Sequence, residues 1–200
     1  NTMAKVSFRS PKYVTVTVST SSAGVETEAL GTTVKVLGKG INMNTTINTS
    51  DAELYADDGL AEYDTEFVDG DMTLEVDDLD DAVEKDLLGA SVGTDGDVLS
   101  KSTDVASYVR VGGVIGRVKS GVKQYRAVIY LRVKFGIPAD NFATKGQTIT
   151  YGTSSLTGRV SKNQRDEWRY KSKWVDTPDA AAALLDEKIV ATSSMLSSTS

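Results

Sequence analysis

The chain has 200 residues, 40% hydrophobic and 25% charged, with a net charge of −6, which is enough material for one substantial core. It contains no cysteine and no histidine, so Ser-His-Asp and Cys-His nucleophilic sites, disulfides and the usual zinc ligand sets cannot be built from it alone. The acidic balance argues against a general nucleic-acid binder, and no apolar run is long enough for a membrane-spanning helix.

In chain order, the start Asn1-Thr-Met-Ala-Lys5 lacks the apolar stretch of a secretory signal. Lys12–Val18 alternates Thr and Val and predicts a strand. Ser19–Ala23 reads as a loop, and Thr32–Leu37 as a short strand closed by Gly38-Lys39-Gly40. From Ile41 to Thr49, Ile41, Met43 and Ile47 keep one parity with Asn and Thr opposite, so a strand with one polar face is expected. Ala61–Val68 then sets Glu62, Asp64 and Glu66 against Tyr63 and Phe67. Asp69-Gly70 carries a hairpin-turn signal, and Met72, Leu74 and Val76 alternate with Thr73, Glu75 and Asp77 on the way back. Such a hairpin presents a face of carboxylates. Like charges on one sheet face repel, so that face serves either solubility or an electrostatic purpose.

A short helix follows, capped by Asp78 or Asp80, with Val83 and Leu87 at i,i+4 and Gly89 as terminator. Residues 90–103 hold turn signals at Asp95-Gly96-Asp97 and little apolar content, which predicts a long loop. A second hairpin runs Ser107–Lys119, turns at Ser120-Gly121 and returns through Val122–Phe135. On its return strand Tyr125, Ala127, Ile129, Leu131, Val133 and Phe135 share one face, with Arg126, Val128, Tyr130, Arg132 and Lys134 on the other. Glu167–Val175 repeats the design, with Trp168, Tyr170 and Trp174 inward and Arg169, Lys171 and Lys173 outward. Thr177 as N-cap, Pro178 and Asp179 start a C-terminal helix with an apolar stripe of Ala181, Leu184, Leu185 and Ile189. The Ser/Thr-rich residues 191–200 read as a flexible tail. The sum is one mainly β domain over 1–190, an antiparallel sandwich or barrel-like fold with two short flanking helices.

Charge is segregated along this order. Asp51–Asp86 holds 16 acidic residues and one basic, whereas Val105–Ala139 holds seven basic residues and no acid. Arg159–Lys173 adds six basic residues against two acids. Either these are solvated faces, or acidic and basic surfaces meet within the fold or between copies. Cofactor motifs are absent: Gly112-Gly113-Val-Ile-Gly116 lacks dinucleotide spacing, and Lys119-Ser120 follows Val118 rather than the glycine of a phosphate loop. Asp57-Asp58-Gly59, Asp69-Gly-Asp71, Asp77-Asp78-Leu-Asp80-Asp81 and Asp95-Gly-Asp97 suggest calcium, but none completes an EF-hand loop. No metal or cofactor is therefore expected. A hydrolase working with carboxylates alone would need a cleft pair, and no pair stands out.

Several stretches, in order, resemble the major tail proteins of long, non-contractile-tailed phages of Gram-positive bacteria. They are Glu53-Leu-Tyr-Ala-Asp-Asp-Gly-Leu-Ala-Glu-Tyr63, Tyr108-Val-Arg-Val-Gly112, Gln124-Tyr-Arg-Ala-Val128 with Val133-Lys-Phe135, Thr144-Lys-Gly-Gln-Thr-Ile-Thr150, and Trp168–Leu185. The similarity spans roughly residues 30–190 and leaves the ends and the 90–103 loop unmatched. The resemblance implies a non-enzymatic virion protein, assembled in the host cytoplasm, whose hexameric rings stack into a tail tube that conducts DNA without reading its sequence. It also implies contacts with tape-measure, terminator and distal tail proteins, and no membrane. On that view the acidic face of Glu62, Asp64, Glu66, Glu75 and Asp77 lines the lumen; the alternative is an outer solvated face. The basic face of Arg126, Arg132, Lys134, Arg169, Lys171 and Lys173 is then a subunit interface. Rival readings are a surface module binding carbohydrate or protein, and a related secretion-system tube.

Overall fold

A computed structural model describes residues 3–56, 59–138 and 153–192. Side chains are described from Ser7 onward, except those of 53–63 and of the backbone gaps. The expected turn and strand at Thr144–Thr150, and the tail from 193, lie outside the described residues.

Among the described residues, eleven strands and two helices follow one another. The strands are β1 (Met3–Thr20), β2 (Glu26–Leu30), β3 (Lys35–Val36), β4 (Gly40–Ala56), β5 (Gly59–Val76), β6 (Ser91–Val92), β7 (Val98–Leu99), β8 (Tyr108–Lys119), β9 (Val122–Phe135), β10 (Ser154–Ser161) and β11 (Arg169–Lys171). Helix α1 (Asp81–Leu88) follows β5, and α2 (Pro178–Ile189) follows β11. Nine strands form one antiparallel sheet in the order β2-β1-β8-β9-β10-β5-β4, with β3 on β1 and β11 on β9, while β6 and β7 pair separately.

The sheet is folded over on itself. Tyr13 of β1 and Val109 and Val111 of β8 share one buried cluster with Leu74 and Val76 of β5 and Leu156 of β10. The fold is therefore sandwich-like, and it does not close into a barrel. Helix α1 adds Val83 and Leu87 to this interior. The second cluster lies on the outer face, where Ala181, Leu185 and Ile189 of α2 cover Val14, Val114, Ala127, Ile129 and Leu131. Gly112 makes that approach possible, because a Cβ there would stand 2.6 Å from Leu185 Cδ1.

Local chemistry sets both helices and the tight turn as expected. Asp80 Oδ1 accepts from Ala82 N at 3.1 Å, and Gly89 ends α1 at φ 81°. Thr177 Oγ1 accepts from Ala180 N at 3.3 Å, and Pro178 opens α2. Ser120 and Gly121, at φ 50° and 82°, make the turn between β8 and β9.

Several expectations are corrected. Asp69-Gly70 is not a turn: β5 runs straight through it, with Gly70 paired to Ile47 on one side and Val160 on the other. The hairpin is instead the long β4–β5 ribbon, whose strands still pair at Ala56 and Gly59. The inward face predicted for β9 also splits. Ala127, Ile129 and Leu131 join the α2 cluster, but Val133 and Phe135 join the interior. The pairing moves from Val109↔Val133 to Val111↔Tyr130, so β9 carries one residue more than β8 there and its alternation reverses. Likewise Trp168 packs on the interior while Tyr170 packs on the α2 side. The strand predicted at Thr32–Leu37 shrinks to β3, the 90–103 loop contains the β6–β7 hairpin, and β2 and β10 arise where no strand was expected.

Candidate functional site

The outer face of β5 carries a strip of carboxylates. Between Asn48↔Asp69 and Thr49↔Phe67 the strand β5 has one residue more than β4, at Val68. That bulge reverses the alternation, so the even-numbered Asp64 and Glu66 lie on the same face as the odd-numbered Asp69, Asp71 and Glu75, while Asp77 follows just past the end of β5. Phe67 points the other way and packs on the interior. Glu62 continues the same parity, but its side chain lies outside the described residues. The structure thus reaches the expected carboxylate face by a route unlike the expected hairpin. It adds Asp69, expected in a turn, and Asp71 beside it.

The strip is partly neutralised at its centre. Arg159 of β10 sits 2.7 Å from Asp71 and 3.1 Å from Asp69. Asn48 Nδ2 donates to Asp69 at 2.7 Å and to Asp71 at 3.2 Å. The Asn48 hydrogen bond, and then Arg159, hold the Asp71 carboxyl below the usual carboxylate range. Asp77 is lowered chiefly by accepting the Lys39 backbone N–H at 2.7 Å. The neighbouring positions on β4, Asn42, Asn44, Thr46 and Asn48, pair with Glu75, Thr73, Asp71 and Asp69 and present neutral polar groups beside them.

The expected basic face is not one face. Arg132 and Lys134 lie on the outside, with the Arg132 Cζ 4.3 Å and the Lys134 Nζ 5.2 Å from the Tyr108 ring centre. Arg132 also pairs with Glu28 at 3.3 Å and Glu26 at 3.5 Å of β2. On the same outer side the buried Arg110 donates to the carbonyls of Ile189 at 3.3 Å and Ala191 at 2.7 Å. It thereby satisfies the C-terminus of α2, where a cation complements the helix dipole.

Arg126, Arg169 and Lys171 lie on the inner face, because Arg169 and Lys171 pair with Tyr130 and Val128. There they line a cleft of about 390 Å³ whose walls include Phe8, Met43 and Ile115 and whose lining contains no acid. Aromatic rings support these guanidiniums. Arg117 and Arg126 lie 3.8 and 4.4 Å from the Trp174 ring centre, and Arg169 lies 4.2 Å from that of Trp168. Trp168 in turn stacks on Phe67 with centres 4.6 Å apart. Burial, then the adjacent Arg117 and Arg169, lowers the pKa of Arg126. Its Nε is buried with no hydrogen-bond partner among the described residues. Lys173 is exposed and belongs to neither group. Alternation read within single strands could not separate these sets, since the β9 parity reversal and the β11 register decide them.

Among the described residues no group of three carboxylates is arranged to hold a metal ion, and no helix is long and apolar enough to cross a membrane. No protein-family model matches the chain, and no curated protein matches it.

Proposed function

We propose that the chain is the self-assembling subunit of a phage tail tube, a structural virion protein that works without catalysis or cofactor. The observation that carries this reading is strand β4. Among the described residues it ends the sheet and pairs with β5 alone, and it runs 17 residues without a proline, lysine or arginine. Edge strands of proteins that stay monomeric are usually shortened, bulged or charged against pairing; β4 has a bulge at Ile41 and two acids, Asp51 and Glu53, but it is long and carries none of the lysine or proline that most often blocks an edge. Its counterpart at the other end of the sheet is β2. Pairing one edge to a different edge on the next copy is a heterologous contact, which closes into a ring when the rotation permits. Six copies make the ring, rings stack, and tape-measure, terminator and distal tail proteins meet the ends.

The acidic strip beside β4 gives the ring its conduit chemistry. Duplex DNA is held by lysine and arginine on its phosphates, so a bore lined by the β5 carboxylates lets it slide. The rival reading, a surface module for carbohydrate, calls for an open aromatic platform. Trp168 is stacked on Phe67 and Trp174 is contacted by two guanidiniums, which favours the tube. Negative-stain microscopy of concentrated protein tests the proposal. Annular discs and stacked tubes with an open channel are expected, and a strictly monomeric particle under all conditions overturns it.

A further inference from the structure

Two parts of the molecule are incomplete in opposite senses. The inner cleft gathers Arg126, Arg169 and Lys171 around apolar walls of Phe8, Met43 and Ile115, and no acid lines it. Among the described residues neither Arg126 nor Arg169 forms an ion pair. The β4–β5 ribbon has the reverse composition. From Ser50 to Glu66 it carries seven acidic residues and no basic one, together with Leu54, Tyr55, Leu60 and Tyr63.

Beyond Phe67 the described side chains of the ribbon, Ser50, Asp51, Ala52, Asp64, Thr65 and Glu66, are all exposed, and none of them belongs to either core cluster. A two-stranded ribbon is marginally stable in water by itself, so one that leaves its described side chains exposed gains from a partner surface. The two cannot meet within one chain. The ribbon is paired along its length, with bulges, and its base at Asn44 already lines the cleft. At about 3.3 Å per residue its end at Ala56 lies ~40 Å away from that base.

We propose that the cleft is the docking site for the acidic β4–β5 ribbon of a second copy of this chain, held by carboxylate–guanidinium pairs to Arg126 and Arg169. The charges are complementary, and charge complementarity sets register and orientation between copies. The contact is heterologous, since ribbon and cleft are different surfaces, and so it propagates from copy to copy. It rests on the tube reading and amends it in one respect: Asp64 and Glu66 belong to the joint between copies, and the bore keeps Asp69, Asp71, Glu75 and Asp77.

The absence of cysteine makes a clean test. Full-length Glu66→Cys and Lys171→Cys proteins are mixed under assembly conditions, treated with a mild oxidant and run on a non-reducing gel, with microscopy of the same sample. A covalent heterodimer is expected from the mixture and not from either protein alone. Arg169→Glu in the cleft copy should lower its yield about tenfold, the loss of one charge-assisted pair. Asp64→Lys in the ribbon copy should restore it. Arg169 is exposed, so an unchanged thermal melt separates lost docking from lost folding. Tubes without the heterodimer overturn the docking and leave the tube reading standing. A heterodimer without rings or tubes keeps the docking and removes the tube. Neither product removes both.

Discussion

The sheet holds two clusters of arginine on opposite faces, and they are treated differently. On the outside, Arg132 has Glu26 and Glu28, and Arg110 has the last carbonyls of α2. Those cations are answered within the chain and act as structural pins. On the inside, Arg117, Arg126 and Arg169 are propped on Trp174 and Trp168, with Arg117 also donating to the Gln124 side chain at 2.8 Å. Aromatic support orients a guanidinium but leaves its charge uncompensated. Arg126 bears the mark of burial, a lowered pKa, and the proposed docking would give it and Arg169 carboxylate partners.

The comparison can be broken most forcefully at its frame. Leu185 is fully buried between α2 and the outer face. Leu185→Ala should cost about 3 kcal/mol in urea unfolding, the usual range for a buried leucine. A cost below ~1 kcal/mol would mean that α2 is not fixed on the sheet. The outer cations come next. Arg110→Met leaves the α2 carbonyls unanswered in a buried setting and should cost about 2 kcal/mol.

Arg126→Met sharpens the contrast. It relieves repulsion from Arg117 and Arg169, so stability should change by less than about 1 kcal/mol, or rise, while assembly measured by sedimentation falls. Equal destabilisation by the two methionine variants would erase the distinction between the clusters.

The smallest effect is a titration. Asp71 has a folded pKa below its unfolded value. Its contribution to stability is therefore fully present above the unfolded value of about 4 and is lost as pH falls through the lower folded value. Carbon-detected NMR of Asp71 should show a depressed midpoint that moves up in Asn48→Ala, because the Asn48 hydrogen bond is its leading cause. A midpoint indifferent to Asn48 contradicts the geometry of the strip.

How far these features can be read without coordinates depends on the reach of the chemistry behind them. Thr177-Pro178, Asp80 with Gly89, and Ser120-Gly121 act within one turn of chain, and all three form as their residue types dictate. Asp69-Gly70 carries an equally strong local signal and is overruled. Gly70 pairs with strands on both sides, and a Cβ there would lie 3.0 Å from the Thr46 carbonyl oxygen. Its glycine answers a close backbone approach rather than a turn. The acidic face was legible in part, since Asp64, Glu66 and Glu75 do share it; Asp69 was hidden by the turn expected at Asp69-Gly70, and the bulge at Val68 is what aligns the two halves. The basic face was not legible. One extra residue on β9 and the register of β11 sort its members, and both are fixed by partners distant in sequence.

The central claim is that copies of this chain join edge to edge around an acid-lined bore. A cryo-electron microscopy reconstruction of the assembled protein at side-chain resolution addresses it most directly. The account predicts a ring whose inner wall is formed by β4 and β5, with Asp69, Asp71, Glu75 and Asp77 facing the channel. An inner wall of arginines, or a lone subunit with β4 unpaired at every concentration, would contradict it.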